Sequence, residues 1–168
     1  MPLIKNGQVF PDAWVKLADE APMPNEDMPI RVSYARWQQD RAALDGREAP
    51  LALDLPNTAK PEELNGGVNR FAMIALNFPK FSDGRAYSQA RLLRERLGFK
   101  GELRATGHVL RDQLLFMHRA GFDAFEIPRE DAAEVFAAAL KELSVFYQPT
   151  KDGRVTALKR RLAGRQDK

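Results

Sequence analysis

A chain of 168 residues and 19.0 kDa, 44% hydrophobic with a mean hydropathy of −0.45, is long enough for one ordinary domain and too short for two large ones. It contains no cysteine, which excludes disulfides, thiolate zinc sites, cysteine-ligated iron–sulfur clusters and thiol chemistry. The formal charge of +3 is uneven: residues 151–168 hold seven basic and two acidic residues, residues 85–111 hold another seven against two, and the rest is −7. Local basic sites therefore describe the charge better than one nucleic-acid-binding face, and no nucleic-acid-reading motif accompanies it.

The opening LIKNGQVF places Asn6-Gly7 between two short β-prone runs, and both residues tolerate the positive φ of a type I′ turn. A β-hairpin is expected there, with Trp14, Val15 and Leu17 as a third strand. This N-terminus lacks the basic start, long apolar run and small-residue cleavage site of a signal peptide, and no stretch is long enough for a membrane span, so a cytoplasmic protein is expected. EAPMPNEDMP at 20–29 has three prolines, three acids and no periodicity, and reads as a linker or surface loop. Four segments follow: a β appendage at 1–19, the linker at 20–29, an α/β domain at 30–150 and a basic tail at 151–168.

From Ile30 a cadence begins. Aliphatic or β-branched runs occur at 30–32, 51–55, 71–78, 102–106 and 123–127, each followed by a helical pattern. Ser33 can cap a helix ending at Asp45-Gly46; Thr58 and Pro61 open a short one. Longer helices are expected from Arg85 to Leu97, from about His108 to Gly121 and from Arg129 to Phe146. Five βα units imply an α/β fold with a parallel sheet, either doubly wound or partial-barrel-like, and apolar runs such as AMIAL imply cover on both faces. Five strands cannot close an eight-stranded barrel, so the edges need the hairpin or a second copy as a homodimer.

Ligands in such sheets gather beyond the carboxyl ends of the strands. The loop after the third expected strand, NFPKFSDGRAYS, presents Lys80, Asp83 and Arg85. A basic residue in a helix's first turn is unfavourable, so Arg85 either meets an anion or pairs with Asp83. Phe78 and Phe81 either stack on a ligand or pack the loop. The next loop, ATGHVLRDQ, combines Thr106, Gly107, Arg111, Asp112 and Gln113 at the start of a helix, where backbone N–H groups, the dipole and a guanidinium suit a small oxyanion. Its alternative is an ordinary cap with Arg111 paired to an acid. With Arg104 these residues form the candidate anion site. His108 and His118 have no ligand partners at metal spacing, and no metal site, cofactor motif, Walker loop or nucleophile constellation is visible. Arg91 and Arg94 on one helix, and Arg160, Arg161 and Arg165 beside Val155, Leu158 and Leu162 in the tail, are candidate partner-binding residues; a solvated face and a solubilising terminus are their alternatives.

The stretch NFPKFSDGRAYSQARLLRERLGFKGELRATGHVLRDQLLFMHRAGFDAFEI, residues 77–127, carries the combination F-S-D-G-R, G-E-L-R-A-T-G and L-R-D-Q. On these motifs the chain resembles the bacterial domain-of-unknown-function family nine-three-four, whose members are commonly labelled as oxidoreductases of sulfite reduction. Asp83, Gly84, Arg85, Arg104, Gly107, Arg111, Asp112 and Gln113 match the family pattern; His108 stands where Asp is usual. The resemblance implies a place in assimilatory sulfate and sulfite reduction, beside a sirohaem sulfite reductase as partner. The lack of any redox or catalytic motif in the residues themselves makes an accessory role the expectation, with a small-anion or sulfonucleotide-binding protein, enzymatic or not, as the alternative.

Overall fold

The computed structural model describes residues 2–25, 27–64, 67–142, 146–147 and 155–166. Eight strands form one sheet: β1 (Leu3–Lys5), β2 (Gln8–Phe10), β3 (Val15–Lys16), β4 (Ile30–Ser33), β5 (Leu51–Leu55), β6 (Phe71–Phe78), β7 (Glu102–Gly107) and β8 (Ala124–Glu126). Their order is β2-β1-β8-β7-β6-β5-β4-β3. The five expected strands are β4 to β8, all parallel to one another. The fold is thus mixed α/β and mostly parallel, but the sheet is larger than five βα units and curls into a half-barrel.

The N-terminal segment supplies both edges. Asn6 and Gly7 take φ of 51° and 80°, as a type I′ turn requires, and the hairpin β1–β2 pairs antiparallel with β8. The third strand does not extend this hairpin, as its sequence suggests, but pairs parallel with β4 at the opposite edge. Only residues 11–14 join the two edges. Five Cα steps reach at most about 18 Å, whereas eight strands laid flat at about 4.8 Å spacing would put their edges about 34 Å apart. The sheet must therefore bend toward this strap, and the face beneath the strap is concave.

Helices cover the convex face: α1 (Tyr34–Gln39), α2 (Arg41–Asp45), α3 (Arg85–Arg91), which runs on as a π-type turn at Leu92–Arg96, α4 (Arg111–Ala120) and α5 (Ala132–Lys141). The Ser33 hydroxyl accepts the Arg36 N–H and caps α1, as expected, but the helix breaks at Asp40, which ends α1 and begins α2. Ile74, Leu76 and Phe78 of β6, fully buried, pack into the main core with Leu53, Ala105, Phe125, Leu93 and Leu114; each large apolar side chain there contributes about 1.5–3 kcal/mol.

Cover on both faces, the reading taken from AMIAL, is corrected. Strands β5 and β7 alternate, so Asp54, Glu102, Arg104 and Thr106 fall on the concave side with Arg31 and Glu126. Among the described residues no helix is packed across the strands on that side. Its small apolar patch, Ala52, Met73 and Ala75, is met by Trp14 of the strap.

The 20–29 segment is fastened rather than loose. Arg36 donates to the carbonyls of Ala18, Asp19 and Ala21, and Arg47 to those of Pro24, Asn25 and Met28. The basic tail contains a sixth helix, α6 (Ala157–Gln166), tied to the body by a bridge between Thr156 and Phe146.

The strap is held electrostatically. Arg104, 1% exposed, donates to Glu102 at 2.8 Å, Asp12 at 2.9 Å and Glu126 at 3.3 Å. Burial opposes ionisation of Asp12, yet the Arg104 hydrogen bond and charge, with the Trp14 N–H, hold its carboxyl below the ordinary value. Removing the guanidinium takes away the ion pair of Asp12 and leaves the more buried Glu102 and Glu126 with Lys5 and Arg31 alone, around the space of a large buried side chain. Arg104→Ala is expected to lower unfolding free energy by about 3–5 kcal/mol in chemical denaturation, while Lys16→Ala, whose side chain is 75% exposed, changes it by under about 1 kcal/mol.

Candidate functional site

Four parallel strands end side by side on the concave face and each delivers one polar side chain: Ser33 from β4, Asp54 from β5, Asn77 from β6 and Thr106 from β7. Register makes this possible, since Ser33 pairs with Asp54, Asp54 with Ala75 and Asn77 with Thr106. With Lys16 and Asp19 beyond β3, Arg31 below, and Tyr34, Ala35 and Gln38 of α1, they enclose a cavity of about 540 Å³. That is the size of a small-molecule site, at the position where half-barrel geometry collects ligands.

The charges in the cavity balance, and the hydrogen bonds do not. Arg31 Nε donates to Asp54 at 2.6 Å and Nη1 to Glu126 at 2.7 Å, leaving Nη2 without a partner among the described residues. Burial works against the charge of this guanidinium, but Asp54 and Glu126 outweigh it and raise its pKa. Lys16 Nζ stands 3.8 Å from Asp54, a loose pair. The Ser33 hydroxyl donates to Asp19 at 2.6 Å, and Thr106 Oγ1 donates to the Leu76 carbonyl at 3.4 Å. Both carboxylates lining the cavity are thus engaged, while Arg31 Nη2, Lys16, Asn77 and Gln38 keep donors to spare. Such a lining suits a small molecule bearing an oxyanion or carboxylate. Among the described residues no three His, Asp or Glu side chains are placed to hold a metal ion.

The residues singled out in the two loops lie elsewhere, Thr106 excepted. Arg85 takes the second of its two readings: Nε and Nη2 grip Asp83 at 3.0 and 2.7 Å. That grip, with the Asn57 amide at 2.7 Å, lowers the Asp83 pKa to about 2. Lys80 is exposed. Arg104 lies at the centre of the strap cluster. Gly107 has φ 83°, and a Cβ there would stand 2.5 Å from the Phe78 carbonyl oxygen, so it serves close approach to β6. The chain bends at His108, where the Val109 N–H donates to the Gly107 carbonyl at 2.9 Å, is extended at Leu110, and enters α4 at Arg111 without a side-chain cap. Arg111 turns to Glu142 of the segment after α5 at 3.5 Å. Asp112 and Gln113 do meet the preceding loop, in a slot with Phe81, Tyr87 and Phe116. Burial, with the Asp112 charge, pushes the Tyr87 hydroxyl up to about 12.

The candidate partner residues also separate. Arg94 turns inward to the carbonyls of Phe99, Gly101 and Gly121 and to Asp123. Arg91 is exposed and stands 3.5 Å from Glu95, and Arg160 and Arg161 are exposed on α6. The side chain of Arg165 lies outside the described residues.

With this geometry in hand, the sequence profile of a bacterial family, described as bacterial protein of unknown function (DUF934), matches residues 52–158. The chain belongs to this family. The matched DUF934 region begins on β5 and ends on α6, so it contains Asp54, Asn77 and Thr106 of the cavity but not Lys16, Asp19, Arg31 or Ser33. No curated protein and no solved structure matches the chain. No helix among the described residues is long and apolar enough to cross a membrane.

The sequence signal for the missed cavity residues is alternation. IRVS, LALDL and ELRAT each place charged, small or hydroxyl side chains at every second position, the mark of a sheet with one polar face. The Asp83–Arg85 pair yields a direct check. By carboxyl NMR Asp83 should titrate at about 2, and in Arg85→Ala its midpoint should return toward 3.8. Because the folded value is depressed, the stabilisation is present above pH 3.8 and is lost as pH falls toward about 2.

Proposed function

We propose that this protein is an accessory component of sulfate and sulfite assimilation, acting beside a sirohaem sulfite reductase, and that it binds a small oxyanion-bearing molecule on its concave face. The observation that carries the binding half is the cavity of about 540 Å³ at the carboxyl ends of β4 to β7, where Arg31 Nη2, Lys16, Asn77 and Gln38 offer donors and both lining carboxylates are engaged. The sulfur setting rests on the motif resemblance over residues 77–127. The small-anion alternative drawn from the loops survives in altered form: the ligand chemistry stays, and the site moves from Arg85 and Arg111 to the strand ends.

Two measurements test this reading. Sulfite, sulfate and an adenosine sulfonucleotide are added to the full chain during thermal unfolding; a ligand at a hundredfold its Kd contributes about 2.7 kcal/mol, which is a shift of several degrees. The shift should vanish in Lys16→Ala/Asn77→Ala, two exposed positions whose loss leaves the fold intact, and persist in Lys80→Ala/Arg85→Ala. A strain lacking the protein should fail on sulfate and on sulfite as sole sulfur source and grow on cysteine. Restored growth with Lys16→Ala/Asn77→Ala would overturn the assigned site, and normal growth of the deletion strain would overturn the assigned setting.

A further inference from the structure

Two surface features are unused by the cavity, and they are complementary. The first is the open slot of about 420 Å³ between the β6–α3 loop and α4, walled by Phe81 (58% exposed), Phe116 (53%) and Tyr87. Its polar floor is Asp112 and Gln113. Gln113 is nine-tenths buried; its Nε2 donates to the Phe81 carbonyl at 3.2 Å, and its Oε1 is closed off without a partner among the described residues. Asp112 forms no ion pair among the described residues, whereas neighbouring Arg85 and Arg111 are taken up by Asp83 and Glu142. Aromatic walls with one negative charge fit a basic side chain flanked by apolar ones.

The second feature is α6. Leu158 (65% exposed) and Leu162 (53%) stand one turn apart on it, next to Lys159, Arg160 and Arg161, and among the described residues none of these three cations is ion-paired. Among the described residues no other helix or strand packs extensively on α6. A helix with exposed leucines and no acidic residue is marginal in water alone and gains its stability by covering an apolar surface.

We propose that α6 of a second copy of this chain docks in the Phe81–Phe116 slot, and that two copies exchange these contacts reciprocally to form a two-fold dimer. Reciprocal exchange covers both slots and both helices; a one-way contact would leave one of each exposed. Leu158 and Leu162 lie against Phe81 and Phe116, and a basic side chain of the helix reaches Asp112. The contact involves none of the cavity residues, so it stands or falls separately from ligand binding.

Sedimentation of the full chain over a wide concentration range tests this. The expected result is a dimer whose dissociation constant rises at least about tenfold in Phe116→Asp and, independently, in Leu158→Asp/Leu162→Asp, as loss of a central aromatic or aliphatic anchor does. Both positions are exposed in the single chain, so folding should survive, and far-UV circular dichroism of each variant checks that it does. An Asp112→Arg chain should self-associate poorly alone and pair with an Arg160→Glu/Arg161→Glu chain. A monomer at every concentration, as expected if α6 serves an acidic protein of another kind or folds back on its own slot, overturns the proposal. So does a dimer unaffected by either substitution.

Discussion

A four-residue strap, Pro11 to Trp14, determines the shape of this molecule. It joins the two edges of an eight-stranded sheet across a distance that a flat sheet could not offer, and the resulting curl separates a helix-covered convex face from an open concave one. Arg104 holds the strap down through Asp12, and Trp14 seats on Ala52, Met73 and Ala75. A buried guanidinium among carboxylates is no more stabilising than a well-packed apolar cluster of the same volume. What the charged version adds is a concave face that stays polar, so that the strand ends next to it present donors in a cavity that apolar side chains have not filled.

Arginine performs the same kind of service elsewhere. Arg36 and Arg47 each collect three backbone carbonyls from the segment at 18–28, Arg70 collects those of Leu44, Asp45 and Arg47, and Arg94 those of Phe99, Gly101 and Gly121. Irregular backbone carries carbonyls that no ladder satisfies, and a planar group with five donors can serve several at once. The arrangement bears on the cavity because Asp19, on its rim, belongs to the segment that Arg36 anchors. Of the residues that look partner-binding in the sequence, Arg94 is spent inside the fold in this way, while Arg91, Arg160 and Arg161 stay exposed.

The sequence was legible where the determinants are local. Asn6-Gly7 specifies its hairpin, Ser33 its cap, and the runs at 51–55 and 71–78 become β5 and β6 with the expected limits. Legibility failed where the determinant was long-range. Nothing near Val15 reveals that its partner is Ile30 and not the hairpin beside it, because that pairing depends on the curl of the whole sheet. The loop residues Arg85 and Arg111 carry the chemistry of an anion site, but their directions are set by Asp83 two residues away and Glu142 thirty-one residues away. The cavity residues were readable in principle as alternation, a pattern obscured by the alanines of β5, β6 and β7, which suit either face of a sheet.

In the proposed function the concave strand ends, not the outer loops, receive the ligand. Backbone amide NMR of the full chain during titration with sulfite, sulfate or an adenosine sulfonucleotide addresses it most directly. Saturable shifts centred on Ser33, Asp54, Asn77 and Thr106, with Trp14 of the strap responding, are the predicted result. Shifts confined to Lys80–Arg85 and Gly107–Gln113, with the strand ends silent, would contradict it.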